Sequence, residues 1–240
     1  DMDKLFNIAK KNNLLVVEDA AHAIGTKYKG RKIGSLHSHA TCFSFYATKN
    51  LATAEGGMIV CGDEKLARRV KKLAMYGISD AREIWNSRYS KKGHWFYDVE
   101  EIGYKANMTD LNAALGLHQL KKLPMFNATR QNYASLYLDL LKDTGCSFMK
   151  VKPDDLCSWH LFPVILPNHI DRERIVVRLK EMNIGTSVLF RPLHLHTAYL
   201  KLLGHKRGDF PNSENTYEKL INLPVSPSIS VEDVEYIADI

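Results

Sequence analysis

The chain has 240 residues, 45% hydrophobic and 25% charged, with a formal net charge of +6; these are ordinary globular values that exclude disorder or a coiled coil as the overall reading. The positive charge suits an anionic ligand, but it is scattered apart from "ARRVKK" and "YSKKGHW", and without an arginine-rich tail, zinc-finger or RNA-binding signature no nucleic-acid partner is expected. Four cysteines without a C-x-x-C spacing, no apolar run of membrane length and no signal-peptide pattern give the expectation of a cytoplasmic protein with free thiols and no membrane partner.

"DMDKLFNIAKKNN" spaces Met2, Leu5, Phe6 and Ala9 as one helix face. "LLVVEDAAHAIG" then reads as a short, fully buried strand ending at Glu18-Asp19, and a helix followed by an apolar strand is the pattern of a parallel α/β sheet. "TKYKGRKIGS" reads as a polar hairpin, "ATCFSFYATK" and "GGMIVCGD" as two further strands, and Gly62-Asp63 as a turn into a helix with Leu66, Val70 and Leu73 on one face. Residues 77–103 are irregular, polar and aromatic. A helix starts after Thr109, a plausible N-cap, at "DLNAALGLHQLKKL" and runs on into "MFNATRQNYASLYLDLLKD". Beyond it come a strand "WHLFPVILP", a capped helix "DRERIVVRLKEMNIG" with Gly185 past its end, a strand "TSVLF", and "SVEDVEYIADI" with an S-x-x-D capping signature. No internal repeat or low-complexity segment is present.

Three residue types converge at predicted strand ends, where open α/β sheets bind ligands. Asp19 closes the first strand, Ser44 lies late in the second, and Lys49 follows five residues on. Each has a plain reading by itself: Asp19 as a cap for "AAHA", Lys49 as a solvated surface amine. Together a carboxylate, a hydroxyl and an amine suit pyridoxal phosphate. The lysine forms an imine with the aldehyde, the carboxylate keeps the pyridine nitrogen protonated, and the hydroxyl donates to the phosphate.

The stretch "VVEDAAHAIGTKYKGRKIGS…CFSFYATKNLATAEGGMIV", continued by "GYKANMTDLNAALGLHQLKKL", "IGTSVLFRPLHLH" and "FPNSENTYEKLINLPVSPSIS", covers nearly the whole chain. It resembles the DegT/DnrJ/EryC1/StrS sugar aminotransferases, pyridoxal-phosphate-dependent enzymes of fold type I. The resemblance implies Lys49 as the catalytic lysine and proton shuttle, Asp19 at the pyridinium nitrogen, His22 beside the ring, and Ser44 at the phosphate. It implies Asn107, or alternatively Lys105, at the phosphate of a neighbouring subunit, with Tyr104 and His194 toward substrate. Trp85, Arg88, Tyr89, Lys91, Lys92, Trp95, Phe96 and Tyr97 would lie near a sugar-nucleotide site at the dimer interface, or else pack across that interface. His194 and His196 have H-x-H spacing, but no further ligands are placed and no metal is expected.

Departures from the family pattern are small near the lysine: Tyr46 stands where many relatives have histidine, Ala52 where many have threonine, and Ala54 where many have glycine. A lysine rather than the histidine of a dehydratase branch favours amino transfer. The implied fold is α/β: a mixed, mostly parallel sheet flanked by helices in an incomplete aspartate-aminotransferase-like large domain, plus a smaller C-terminal α+β domain. The expected bounds are 1–118 for the large domain, 119–135 for a connecting helix and 136–240 for the small domain. The chain reads as a piece of a larger protein lacking its N-terminal part. The implied activity moves an amino group from an amino acid, L-glutamate foremost, to a nucleotide-linked keto-sugar, in a homodimer with a shared active site. The alternative is a truncated, non-catalytic remnant that binds a partner through the helix near residues 109–123.

Overall fold

The computed structural model describes residues 1–78 and 97–240. They form two compact units, 1–123 and 124–240, and the division falls inside one long helix.

In the first unit α1 (Met2–Lys11) is capped by the Asp1 carboxylate, which accepts from Lys4 N at 3.2 Å, while Lys10 and Lys11 sit at its negative end. β2 (Lys27–Tyr28) and β3 (Arg31–Lys32) form the expected hairpin. Its turn residues Lys29 and Gly30 both have positive φ, 47° and 76°, as a tight two-residue turn requires. The sheet has the order β1-β4-β5, from β1 (Val17–Asp19), β4 (Ala40–Ser44) and β5 (Gly57–Val60). β1 runs parallel to β4, and β5 antiparallel to it. The return to β5 is antiparallel because residues 45–56 hold no crossover helix, which a parallel return needs.

β1 differs from its expectation. It is three residues long instead of spanning the apolar run, and Leu15 and Val17 are 76% and 64% exposed. Apolar composition marks a surface that gains from cover, and among the described residues of this unit only β4 lies beside β1.

α2 (Glu64–Leu73) starts at Asp63, whose side chain accepts from Lys65 N at 2.8 Å, and turns Leu66, Val70 and Leu73 half inward. Residues 73–78 are stitched to 99–106 through Tyr76 N to Tyr104 O (2.8 Å), Glu100 N to Gly77 O (3.0 Å) and the bridge Met75–Lys105. α3 (Asp110–Leu140) starts where Thr109 Oγ1 accepts from Asn112 N, and runs through Pro124 as a single helix that contains the expected connecting segment.

In the second unit β6 (Ser147–Phe148), β7 (Phe162–Ile165) and β8 (Leu220–Leu223) form an antiparallel sheet in that order. Tyr137, Phe162, Val164 and Val234 are fully buried, with the Tyr137 and Phe162 rings stacked at 4.9 Å. Arg130 is also buried, donating to Trp159 O (3.3 Å) and Val225 O (3.0 Å), and removal from water pulls its guanidinium down to about 10.

α4 (Arg172–Glu181) is capped by Asp171. The left-handed residue after it is Asn183, φ 61°, rather than Gly185. The expected strand "TSVLF" reduces to one bridge, Ser187–Asn222. Proline 224, with no N–H to offer, follows β8 directly and ends the ladder there. A 3-10 turn (Leu193–Leu195), α5 (Thr197–Leu203) and α6 (Pro211–Lys219) precede β8. α7 (Val231–Asp239) opens on the expected capping box of Ser230 and Asp233.

Candidate active site

The register pairs Asp19 with Cys42, and Ser44 lies two residues further along β4. Side-chain alternation therefore puts Asp19, Cys42 and Ser44 on one face, at the carboxyl ends of the two parallel strands. Past Asp19 no helix forms. The Asp19 carboxylate instead accepts from Ala21 N at 3.1 Å, and the turn continues with Ala23 N to Ala20 O at 2.9 Å, carrying His22 between them.

Lys49 sits in the turn after β4, its N–H bonded to Tyr46 O at 2.9 Å. The turn is closed at its base by Phe45 N to Gly56 O and Thr53 N to Phe45 O, both 2.8 Å. Thr53 is fully buried and donates its hydroxyl to Glu55 O at 2.9 Å. From α3, Asn112 Nδ2 donates to the same Glu55 O at 2.8 Å. Gly56 has no room for a side chain: a Cβ would lie 2.5 Å from Thr53 Oγ1 and 2.6 Å from Met108 Cε. The lysine thus rides on a turn whose base is rigid.

Three charges act on one another. The Lys49 amine is held below the ordinary lysine value by its partial withdrawal from water, with the Asp19 charge opposing. His22 is pushed down first by withdrawal from water, then by Lys49, again with Asp19 opposing. Ser44 Oγ accepts from Tyr46 N at 3.3 Å, which occupies a lone pair of the hydroxyl and not its hydrogen. The structure therefore brings Asp19, His22, Ser44 and Lys49 into one site. An amine with raised neutral population, a carboxylate and a donating hydroxyl fit a group that carries an aldehyde, a basic ring nitrogen and a phosphate.

The remaining candidates lie elsewhere. Asn107 is exposed, accepts from Lys105 Nζ, and precedes Met108, whose Cε lies against Gly56 at the base of the lysine turn. Lys105 Nζ also lies 5.6 Å from the centre of the Tyr76 ring. Tyr104 is bonded through its backbone and is 74% exposed as a residue. In the second unit His194 is buried, with Nε2 2.8 Å from Glu214 Oε1. Glu214 also accepts from Gly208 N and Phe210 N. A carboxylate accepts, so that nitrogen of His194 carries the hydrogen. His196 is exposed, so the H-x-H pair does not converge. Of the aromatic and cationic group, Trp85, Arg88, Tyr89, Lys91, Lys92, Trp95 and Phe96 lie outside the described residues, and Tyr97 is exposed.

Sequence reasoning passed over Glu18 and Glu214. Glu18 had a local signal, a carboxylate inside an apolar strand on the face opposite Asp19. Glu214 had none, since its partner is 20 residues away.

The sequence model of the DegT/DnrJ/EryC1/StrS aminotransferase family matches residues 1–240. The chain is 46% identical to the spore coat polysaccharide biosynthesis protein SpsC of Bacillus subtilis, over 98% of this chain and 61% of SpsC. It is 33% identical to the UDP-4-amino-4,6-dideoxy-N-acetyl-beta-L-altrosamine transaminase of Campylobacter jejuni, over 100% of this chain and 61% of that one. Spr1654 of Streptococcus pneumoniae in its PLP form superposes with a TM-score of 0.89 at 30% identity, over 100% of this chain and 63% of that one, and in its PMP form with 0.90. The chain spans 61% of the length of the curated relatives it matches.

Proposed function

The chain belongs to the DegT/DnrJ/EryC1/StrS aminotransferase family, whose cofactor is pyridoxal 5′-phosphate, and from that premise we propose that it moves an amino group from an amino acid, L-glutamate, to a nucleotide-linked keto-sugar. The observation that carries the reading is the placement of Asp19 and Ser44 on one face at the carboxyl ends of β1 and β4, with the Lys49 turn directly after β4 and its amine within the field of Asp19 and His22. The relative from Campylobacter jejuni is named for a UDP-linked amino sugar, which supports the nucleotide-sugar acceptor.

When bound, the cofactor supplies an aldehyde for covalent attachment and a ring that accepts the electron pair of a broken C–H bond. The rest falls to the chain. Lys49 Nζ, more often neutral than an exposed lysine, would hold the cofactor through its amine and would serve as the base for the proton on Cα of the amino donor. Asp19 holds a proton on the ring nitrogen. Ser44 donates its hydroxyl hydrogen to the phosphate. His22, with its lowered value, stands beside the ring as a neutral imidazole. Asn107, rather than Lys105, reaches the phosphate held by a neighbouring subunit, with Tyr104 and His194 on the substrate side; the Nε2 of His194 is already committed to Glu214.

We take the working state to be a cytoplasmic homodimer with shared sites. The first half of α3 supports this, since Leu111, Leu115, Leu117 and Leu120 are all exposed there. Such apolar surface on one helix suits burial against a second copy.

The test is an absorbance spectrum of the full-length protein with pyridoxal phosphate, beside Lys49→Ala. A cofactor band that survives desalting, disappears in the variant and is bleached by L-glutamate is expected, with transfer to a keto-sugar lowered about 10²–10⁴-fold or more in the variant. A band that persists in Lys49→Ala would sink the assignment of Lys49. No band in the parent would leave a binding protein in place of an enzyme.

A further inference from the structure

We propose that Glu18 is a positioning residue for Asp19. It clasps β1 to the start of β4 and so sets where the Asp19 carboxylate stands; the inference rests on the cofactor reading given above. β1 is three residues long, and a functional carboxylate at its end needs a site fixed to within about 0.5 Å.

Side-chain hydrogen bonds around Glu18 contribute to fixing β1. Glu18 Oε1 accepts from Thr41 Oγ1 at 3.2 Å and from Ser38 Oγ. Thr41 is 3% exposed, so its hydroxyl is bonded where water competes poorly. One residue along, His39 N donates to Val16 O at 2.8 Å and His39 Nδ1 accepts from Val16 N at 3.0 Å. These bonds cover the turn before β4 and its first residues, up to the Glu18–Thr41 register pair.

Alternation places Glu18 on the face opposite Asp19, so it does not touch what Asp19 touches. Its role is indirect. A slip of one residue in this register would turn Asp19 to the wrong face, and the doubly bonded Glu18 opposes that slip. The other face of β4 at this point carries the bonding hydroxyl of Thr41, which explains a threonine between Ala40 and Cys42.

The test uses the full-length protein with Glu18→Ala and, as a milder partner, Thr41→Val, which keeps shape and removes the hydroxyl. Hydrogen exchange of the apo protein is expected to show lost protection confined to Val17–Ala20. The dissociation constant for pyridoxal phosphate is expected to rise about tenfold in Glu18→Ala and less in Thr41→Val, and the pH midpoint of the bound cofactor's absorbance is expected to shift. Unchanged exchange at Val17–Ala20 with unchanged affinity would overturn the proposal. So would loss of protection throughout residues 1–123, which would make Glu18 a general support of the fold. If Glu18→Ala does not fold, Thr41→Val decides by the same readouts. If the parent binds no cofactor, the cofactor reading fails by itself, and the exchange experiment still decides whether Glu18 clasps β1.

Discussion

The two units each contain a three-stranded sheet, and the two sheets are held by different physics. In the second unit β8 is buried at all four positions and joins Tyr137, Phe162, Val164 and Val234 in an extensive core. In the first unit the buried cluster is Phe45, Leu51 and Leu123, while Val17, Met58 and Ile59 of the sheet are exposed. The site-bearing sheet depends on register, turn closure and side-chain hydrogen bonds. The second sheet depends on apolar burial. The candidate chemistry is therefore specified locally, by bonds around Asp19 and Lys49, in the unit whose sheet leaves Val17, Met58 and Ile59 exposed.

The sharpest way to break this comparison is a matched pair of truncations. Phe162→Ala removes a fully buried ring and should cost about 3–5 kcal/mol in urea unfolding. Ile59→Ala, at a 45% exposed position of β5, should cost under about 1 kcal/mol on the 240-residue chain. Repeating Ile59→Ala in the assembled protein sharpens the point. A cost there that approaches the Phe162 value would show that the β1-β4-β5 surface is covered by another segment or another copy. Equal small costs in both settings would leave that face bare.

Acid sensitivity separates the units by pH window. His22 has a folded value below its ordinary 6.5, so the unfolded chain binds more protons in the window just below 6.5, and stability falls as pH drops through it. Glu214 is held below its ordinary 4.5, chiefly by the hydrogen bond from His194. Its contribution is complete above 4.5 and is lost as pH falls through the lower folded value. His22→Gln should flatten the upper window and Glu214→Gln the lower one, read from unfolding free energy against pH. A single variant that flattens both would mean that the two windows are not independent.

The features legible in the sequence were those with local causes. Thr109, Asp63, Asp171 and Ser230 cap helices because a short polar side chain meets free N–H groups within three residues. Lys49 was legible because a strand pattern ends just before it and Gly56-Gly57 follow. Asp19 was legible as the polar end of an apolar run. The burial of β1 was not, since hydropathy says that a surface gains from cover and does not say which neighbour provides it. "TSVLF" has strand propensity throughout, yet a strand also needs a partner, and Ser187 alone finds one, in Asn222. The pairing of His194 with Glu214 depends on how residues 193–214 fold back, which no periodicity records.

The smallest expected effect tests backbone strain in the two units. Ala54, in the turn that carries Lys49, has φ 65°, a left-handed conformation that costs an L-residue about 1–2 kcal/mol because Cβ crowds the following carbonyl. Asn183, after α4 in the second unit, has φ 61°, yet asparagine tolerates that region through its short polar side chain. Glycine at position 54 relieves the crowding and also loosens the unfolded chain, which returns about 0.4–1 kcal/mol of the gain. Ala54→Gly should therefore stabilise by about 0.5–1 kcal/mol. Asn183→Gly should change little, because its starting strain is smaller and the same entropy acts against it. If Ala54→Gly instead destabilises, the methyl group makes a contact worth more than the strain, and the lysine turn is held by packing as well as by its hydrogen bonds. That outcome would move the first unit toward the second in the comparison, and would do so at the turn that carries the proposed catalytic amine.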